Sequence, residues 1–163
     1  MPPSDLVEIA VEVNGKLHRA RVPARMHAAD FLRHELGLTG THVGCEQGVC
    51  GMCTIVVDGK AVKSCLMLAA QLDGASVRTV ESLGDGEELD EVQRLFREEH
   101  GLQCGFCTPA FLMTLKALRE SGEPVSEETL RDELSGVLCR CTGYRNVVAA
   151  ARRYLELDEV ETA

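Results

Sequence analysis

An α+β chain with two successive halves is predicted from three observations. Short period-two stretches occupy the first eighty residues, the apolar period lengthens to 3.6 beyond residue 88, and eight cysteines divide four and four between these regions. With 163 residues in all, each half is near the size at which an apolar core alone is marginally stable. Aromatics make up 4% and Trp is absent, so Val, Leu, Ile, Ala and Met must form the cores, and bound metal is expected to add to folding.

From Val7 to Val13, Val7, Ile9, Val11 and Val13 alternate with Glu8, Ala10 and Glu12, which predicts a half-buried strand. Asn14-Gly15 then signals a hairpin, with a return strand from about Lys16 to Val22, before Pro23. Ala28, Ala29, Phe31, Leu32 and Leu36 recur at helical spacing and stop at Gly37, predicting a short amphipathic helix over the sheet. A second hairpin pairs Thr54–Val57 with Lys60–Lys63 across Asp58-Gly59, and another strand is expected over Ser76–Val80. This order suggests a small mixed sheet crossed by one helix. Glu81 to Glu88, polar and glycine-containing, is the candidate linker, so the halves are residues 1–80 and 81–163.

Four helices are predicted in the second half, over Leu89–His100, Ala110–Glu120, Ser126–Leu134 and Tyr144–Leu155. Ser126 is the expected cap of the third, with Glu127 and Glu128 favourably placed in its first turn. The tail after Asp158 is expected to be loose.

The formal charge of −9 disfavours nucleic acid and anionic membrane surfaces as partners. Met1 to Ala10 has no basic segment, no apolar core and no small-residue cleavage site, and no apolar run is long enough to span a membrane. The chain therefore reads as soluble and cytoplasmic. In that compartment thiols stay reduced and available to metals, whereas four disulfides would need an oxidising one.

Cys45, Cys50, Cys53 and Cys65 have the spacing C-x4-C-x2-C-x11-C, the plant-type iron–sulfur pattern. Gly44, Gly48 and Gly51 interleave the first three, letting the backbone wrap closely and turn amide donors toward an electron-rich centre. Four thiolates also suit tetrahedral zinc, although three cysteines within nine residues favour iron–sulfur. His27, His34 and His42 could replace a thiolate in principle, but the cysteine set is complete, and all five histidines are read as structural or surface residues.

Cys104, Cys107, Cys139 and Cys141 read C-x2-C-x31-C-x1-C, which matches neither the plant-type order nor a zinc ribbon. Thr108-Pro109 and Thr142-Gly143-Tyr144 follow the two pairs, with Thr suited to the N-cap and Pro to the first helical position. Two helix N-termini would then point at one anionic centre. A four-thiolate zinc site remains open here, as does a thiol–disulfide motif at Cys104/Cys107, against which the closely spaced second pair argues.

Together, GCEQGVCGMCTIVVDG, the distal Cys65, QCGFCTP (Gln103 to Pro109) and LCRCTGY (Leu138 to Tyr144) resemble the two-cluster iron–sulfur subunit of the xanthine oxidase family of molybdenum hydroxylases, over about Val7 to Leu157. The length is similar to the separate small subunit of bacterial members such as carbon monoxide dehydrogenase. The resemblance implies a β-grasp ferredoxin-like domain with a [2Fe–2S] cluster on Cys45, Cys50, Cys53 and Cys65, distal to molybdenum. It implies a four-helix domain with a proximal [2Fe–2S] cluster on Cys104, Cys107, Cys139 and Cys141, and pterin contacts from Gln103 and Cys141. It further implies a large subunit holding a molybdenum-pterin cofactor and a medium subunit holding FAD, in a heterotrimer or a dimer of heterotrimers. Electrons would pass from molybdenum through this chain to FAD, with no catalytic acid, base or nucleophile here. Met52, Ala110, Val137 and Arg145 depart from the usual pattern. Of these, Val137, in place of an amide side chain beside the proximal cluster, is expected to matter most. The alternatives are a free-standing ferredoxin-like carrier and a zinc-stabilised interaction module.

Overall fold

A computed structural model describes residues 5–84 and 86–157. The loose tail expected after Asp158 lies outside the described residues. Five strands, β1 (Leu6–Val13), β2 (Lys16–Pro23), β3 (Thr54–Val57), β4 (Lys60–Lys63) and β5 (Ser76–Arg78), form one sheet in the order β2-β1-β5-β3-β4. β1 runs parallel to β5 and every other pairing is antiparallel. Both hairpins close on two residues, with φ of 51° and 77° at Asn14-Gly15 and 48° and 81° at Asp58-Gly59. This is the doubly left-handed turn that those dipeptides favour, and it sets the registers Val13↔Lys16 and Val57↔Lys60.

Alternation sends Ile9, Val11 and Val13 into the core, while Val7, at the end of β1, is exposed. The predicted crossing helix is shorter than its periodicity suggests: α1 (Ala28–Asp30) passes into a π-helical turn, Phe31–Glu35, in which Leu36 N–H bonds to the Phe31 carbonyl at 3.1 Å. The wider turn lets the adjacent Phe31 and Leu32 both bury fully against the sheet with Leu72 and Val77. β5 stops before Val80, because Thr79 exchanges hydrogen bonds with the Asn14 side chain and Val80–Ser82 turns into a 3-10 helix.

The second half comprises α2 (Glu91–Glu98), α3 (Thr108–Glu120), α4 (Glu127–Ser135) and α5 (Arg145–Tyr154). α2 starts later than Leu89 because Asp90 caps it: its carboxylate accepts from Val92 N–H at 3.0 Å, while Gln93 returns an acceptor to Asp90 N–H. Ser126 caps α4 as expected, accepting from Thr129 N–H at 3.0 Å. Phe96, Phe111, Leu115, Leu130, Val147 and Ala150 form this core.

The segment expected as a linker is anchored where it begins. The Glu81 carboxylate accepts from Gly40 N–H at 2.7 Å and from the Thr79 hydroxyl at 2.6 Å, and Leu83 is buried in the helical core. α3 packs on β3, whose four side chains are all buried. Ile55 and Val57 enter the sheet core, whereas Val56 and the preceding Met52 enter the helical core.

Candidate metal centres

The loop 44–53 folds around the Cys45 sulfur, which accepts from the backbone N–H groups of Gln47 and Cys50 at 3.4 Å each. A 3-10 turn, Ser64–Leu66, delivers Cys65: Ser64 donates through Oγ at 2.7 Å and through N–H at 3.2 Å to the Cys53 carbonyl, and Cys65 N–H reaches the Cys53 sulfur at 3.4 Å. Cys53 and Cys65 are buried with Ala29 and Val43; Cys45 and Cys50 are half-buried. These environments pull the thiols apart. Amide donors, chiefly those of Cys50 and Gln47, lower Cys45 to about 6, while burial raises Cys50 and lifts Cys65 to about 11. Bound cationic metal offsets the cost of ionising such buried thiols. Side chains fit poorly at the glycines of this loop: a Cβ at Gly44 would stand 3.2 Å from the Cys50 sulfur, a tight contact, and one at Gly48, where φ is +74°, would strike Leu66 at 2.5 Å.

The second four cysteines line a cavity of about 540 Å3 together with Phe106, Leu138, Arg140 and Tyr144 and, from the first half, Gly44, Cys50 and Met52. Cys104 and Cys141 bring their sulfurs to 3.5 Å at the exposed side. Cys107 is buried, and burial, followed by its pairing with Cys139, raises it to about 12. Burial also opposes ionisation of Cys139, but the Thr142 hydroxyl at 3.0 Å and backbone N–H at 3.4 Å hold its thiol below the ordinary value. The sulfurs therefore lie in pairs, and among the described residues no three His, Cys, Asp or Glu side chains close around one point as a single ion would require. The Thr108 hydroxyl, next to Cys107, is buried without a hydrogen-bond partner. The cavity, this orphaned hydroxyl, the glycine cradle and an all-thiol donor set together fit a compact sulfide-containing cluster in each half.

The helix starts differ in detail from expectation. Cys107 itself occupies the N-cap of α3, so Thr108 and Pro109 fall one position further in. α5 begins after Tyr144, in a left-handed conformation with φ of 67°, and Thr142 supports it by accepting Tyr144 N–H at 3.2 Å. Gln103 is exposed beside Cys104, and among the described residues no hydrogen bond engages its side chain. Val137 is 2% exposed and packs in the helical core; its carbonyl faces the Tyr144 hydroxyl at 3.4 Å.

Sequence reasoning missed several residues around these centres. The Tyr144 hydroxyl accepts from Cys139 N–H at 2.8 Å, and its ring meets Phe111 edge-on. His42, read as a surface or structural histidine, stacks on Phe106 and joins the two loops. Leu138 N–H donates to the Cys50 carbonyl at 2.9 Å, so a ligand candidate of the first half is bonded directly to the neighbour of one in the second. The signal available for His42, Phe106 and Leu138 was their position one to three residues from a cysteine.

Known proteins fall in line with this geometry. A profile described as a 2Fe-2S iron-sulfur cluster binding domain matches residues 11–84, and one described as a [2Fe-2S] binding domain matches residues 79–152. The protein is therefore a two-cluster [2Fe–2S] protein. It is 55% identical to the nicotine 6-hydroxylase small subunit of Paenarthrobacter nicotinovorans, over 91% of this chain and 89% of that one. It is 50% identical to the caffeine dehydrogenase subunit gamma of Pseudomonas sp. strain CBB1, over 93% of both. Its fold superimposes on quinoline 2-oxidoreductase from Pseudomonas putida 86 with a TM-score of 0.85 at 49% identity, covering 91% of each chain. The chain belongs to the iron–sulfur small subunits of the xanthine oxidase family of molybdenum hydroxylases. Its role is electron transfer within an oxidoreductase complex rather than as a free ferredoxin. No helix among the described residues is long and apolar enough to cross a membrane.

Proposed function

We propose that this chain relays single electrons from a molybdenum-pterin centre on a large subunit to FAD on a medium subunit, within a cytoplasmic heterotrimer or dimer of heterotrimers. Cys45, Cys50, Cys53 and Cys65 hold the cluster distal to molybdenum, and Cys104, Cys107, Cys139 and Cys141 the proximal one, with the boundary between the two halves near residue 80. When bound, the clusters supply one-electron redox chemistry at potentials set by their surroundings. The chain itself buries the sulfurs, directs N–H groups at them and keeps the two sites adjacent. The pairing of sulfurs, Cys45 with Cys50, Cys53 with Cys65, Cys104 with Cys141 and Cys107 with Cys139, is what a diiron core taking two thiolates per iron requires.

The observation that carries the relay is the Leu138 N–H to Cys50 carbonyl bond, which brings the loops of the two quartets into contact. Two apolar patches support separate partners. Val49 (64% exposed) and Leu66 (63% exposed), each next in sequence to a cysteine of the first quartet, are assigned to the flavin subunit; Phe106 and Leu138, exposed in the lining of the second cavity, are assigned to the molybdenum subunit. Gln103 and Cys141, both exposed at this second edge, are assigned the pterin contacts. The relatives named for nicotine and caffeine favour an N-heterocyclic substrate, bound by the large subunit. Metal analysis and paramagnetic resonance on the reduced, co-purified complex test this reading. About four irons per chain and two distinct signals are expected; a single signal, or iron-free chains in an assembled complex, would refute it.

A further inference from the structure

We infer that His42 is a positioning residue that locks the second cysteine loop to the first, and so sets the environment of the proximal cluster; the inference rests on the two-cluster reading above. The His42 ring lies nearly parallel to Phe106, at 7° with ring centroids 4.6 Å apart, and its Nδ1 stands 2.7 Å from the Phe106 carbonyl oxygen. A carbonyl only accepts, so Nδ1 carries the proton whether or not Nε2 does.

The two ends of this contact differ in how firmly they are held. On one side, Arg33 Nη1 donates to the carbonyls of Thr39 and Thr41 at 2.8 and 2.9 Å, and Thr41 is 2% exposed, so His42 projects from a fixed platform. On the other side, Leu102, Gln103, Cys104 and Phe106 are all exposed, and the loop from Gly101 to Cys107 is also held by the Cys104 to Cys141 sulfur contact at 3.5 Å and by backbone bonds at Gly101 and Gly105. The Gly101 N–H meets the Phe96 carbonyl at 2.8 Å, and the Gly105 carbonyl accepts Thr108 N–H at 3.2 Å. His42 is thus a side chain of the sheet half that grips the loop bearing Cys104, Cys107 and Gln103. Gly44 completes the fit, since a Cβ there would sit 3.7 Å from the Phe106 ring and 3.2 Å from the Cys50 sulfur.

Three variants of the assembled complex separate the bond from the stack. His42→Ala removes both, His42→Phe keeps only the stack, and His42→Asn places an amide N–H near the Nδ1 position and keeps only the bond. Resonance spectra and redox titrations of both clusters are the readouts, and iron content confirms loading. His42→Ala and His42→Phe are expected to broaden the proximal signal and shift its midpoint while leaving the distal signal unchanged, and His42→Asn is expected to restore the wild-type spectrum. If His42→Ala does not load iron, His42→Phe and His42→Asn decide the matter alone. Wild-type proximal spectra and midpoints in His42→Phe, or an altered proximal signal in loaded His42→Asn, would overturn the assignment. An iron-free wild-type complex would instead sink the underlying cluster reading.

Discussion

Arg78, ending β5, and Glu120, in the last turn of α3, form a two-pronged ion pair across the junction of the two halves, with Nη1 donating to Oε1 at 3.0 Å and Nη2 to Oε2. The Arg78 guanidinium holds the Glu120 carboxyl below its usual range. Because both side chains are about one-third exposed, solvent screening limits the gain, and Glu120→Gln is expected to cost about 0.5–1 kcal/mol in urea unfolding of the cluster-loaded chain. The carboxyl ionises more readily folded than unfolded. Its contribution is therefore complete above the ordinary carboxylate range and is lost as acid protonates the folded group. The stability gap between variant and wild type should stay constant from about pH 8 to about pH 5 and close below that. A gap that widens in acid would contradict this account.

Tyr144→Phe keeps the ring against Phe111 but leaves Cys139 N–H without its acceptor. A half-buried donor left unpaired costs about 1–3 kcal/mol. The freed N–H is expected to turn toward sulfur and raise the proximal midpoint, with the distal cluster unmoved. Redox titration followed by paramagnetic resonance checks this.

Gly51 and Gly59 share a positive φ, of 72° and 81°, yet differ in what surrounds them. A Cβ at Gly51 would lie 2.1 Å from the Gly136 carbonyl oxygen in the other half, whereas one at Gly59 meets nothing within 4 Å. Gly59→Ala should cost only backbone strain, about 1–2 kcal/mol. Gly51→Ala adds a clash that forces the halves apart, and more than about 3 kcal/mol is expected, with low iron content. Equal thermal stabilities for the two variants would show that the halves yield at this contact.

Cys53→Ala removes one buried thiol of the first quartet. Iron is expected to fall from about four to about two per chain, with loss of the distal signal and retention of the proximal one. Loss of both signals would mean that the two sites load as a unit.

Much of this organisation was legible locally. Asn14-Gly15 and Asp58-Gly59 determined both hairpins, and the turn from period two to period 3.6 marked the helical half. What escaped was set by tertiary contact. Met52 reads as a loop residue of the first centre but fills the helical core, and Val137, singled out for a missing amide, is a buried apolar side chain. Phe31 and Leu32 called for an ordinary helix, but burying both against one sheet required the π turn. The His42 to Phe106 contact spans 64 residues, beyond the reach of any local pattern.

Strand β3 shows its odd and even side chains to different cores, with Val56 facing the helices and Ile55 and Val57 facing the sheet. The polypeptide is therefore not two beads on a string. A protease that nicked the stretch between Leu83 and Asp90 would be expected to leave two fragments that migrate together under native conditions and separate only in denaturant. Genetic transplantation of either half alone would carry an unsealed oily seam to its new host.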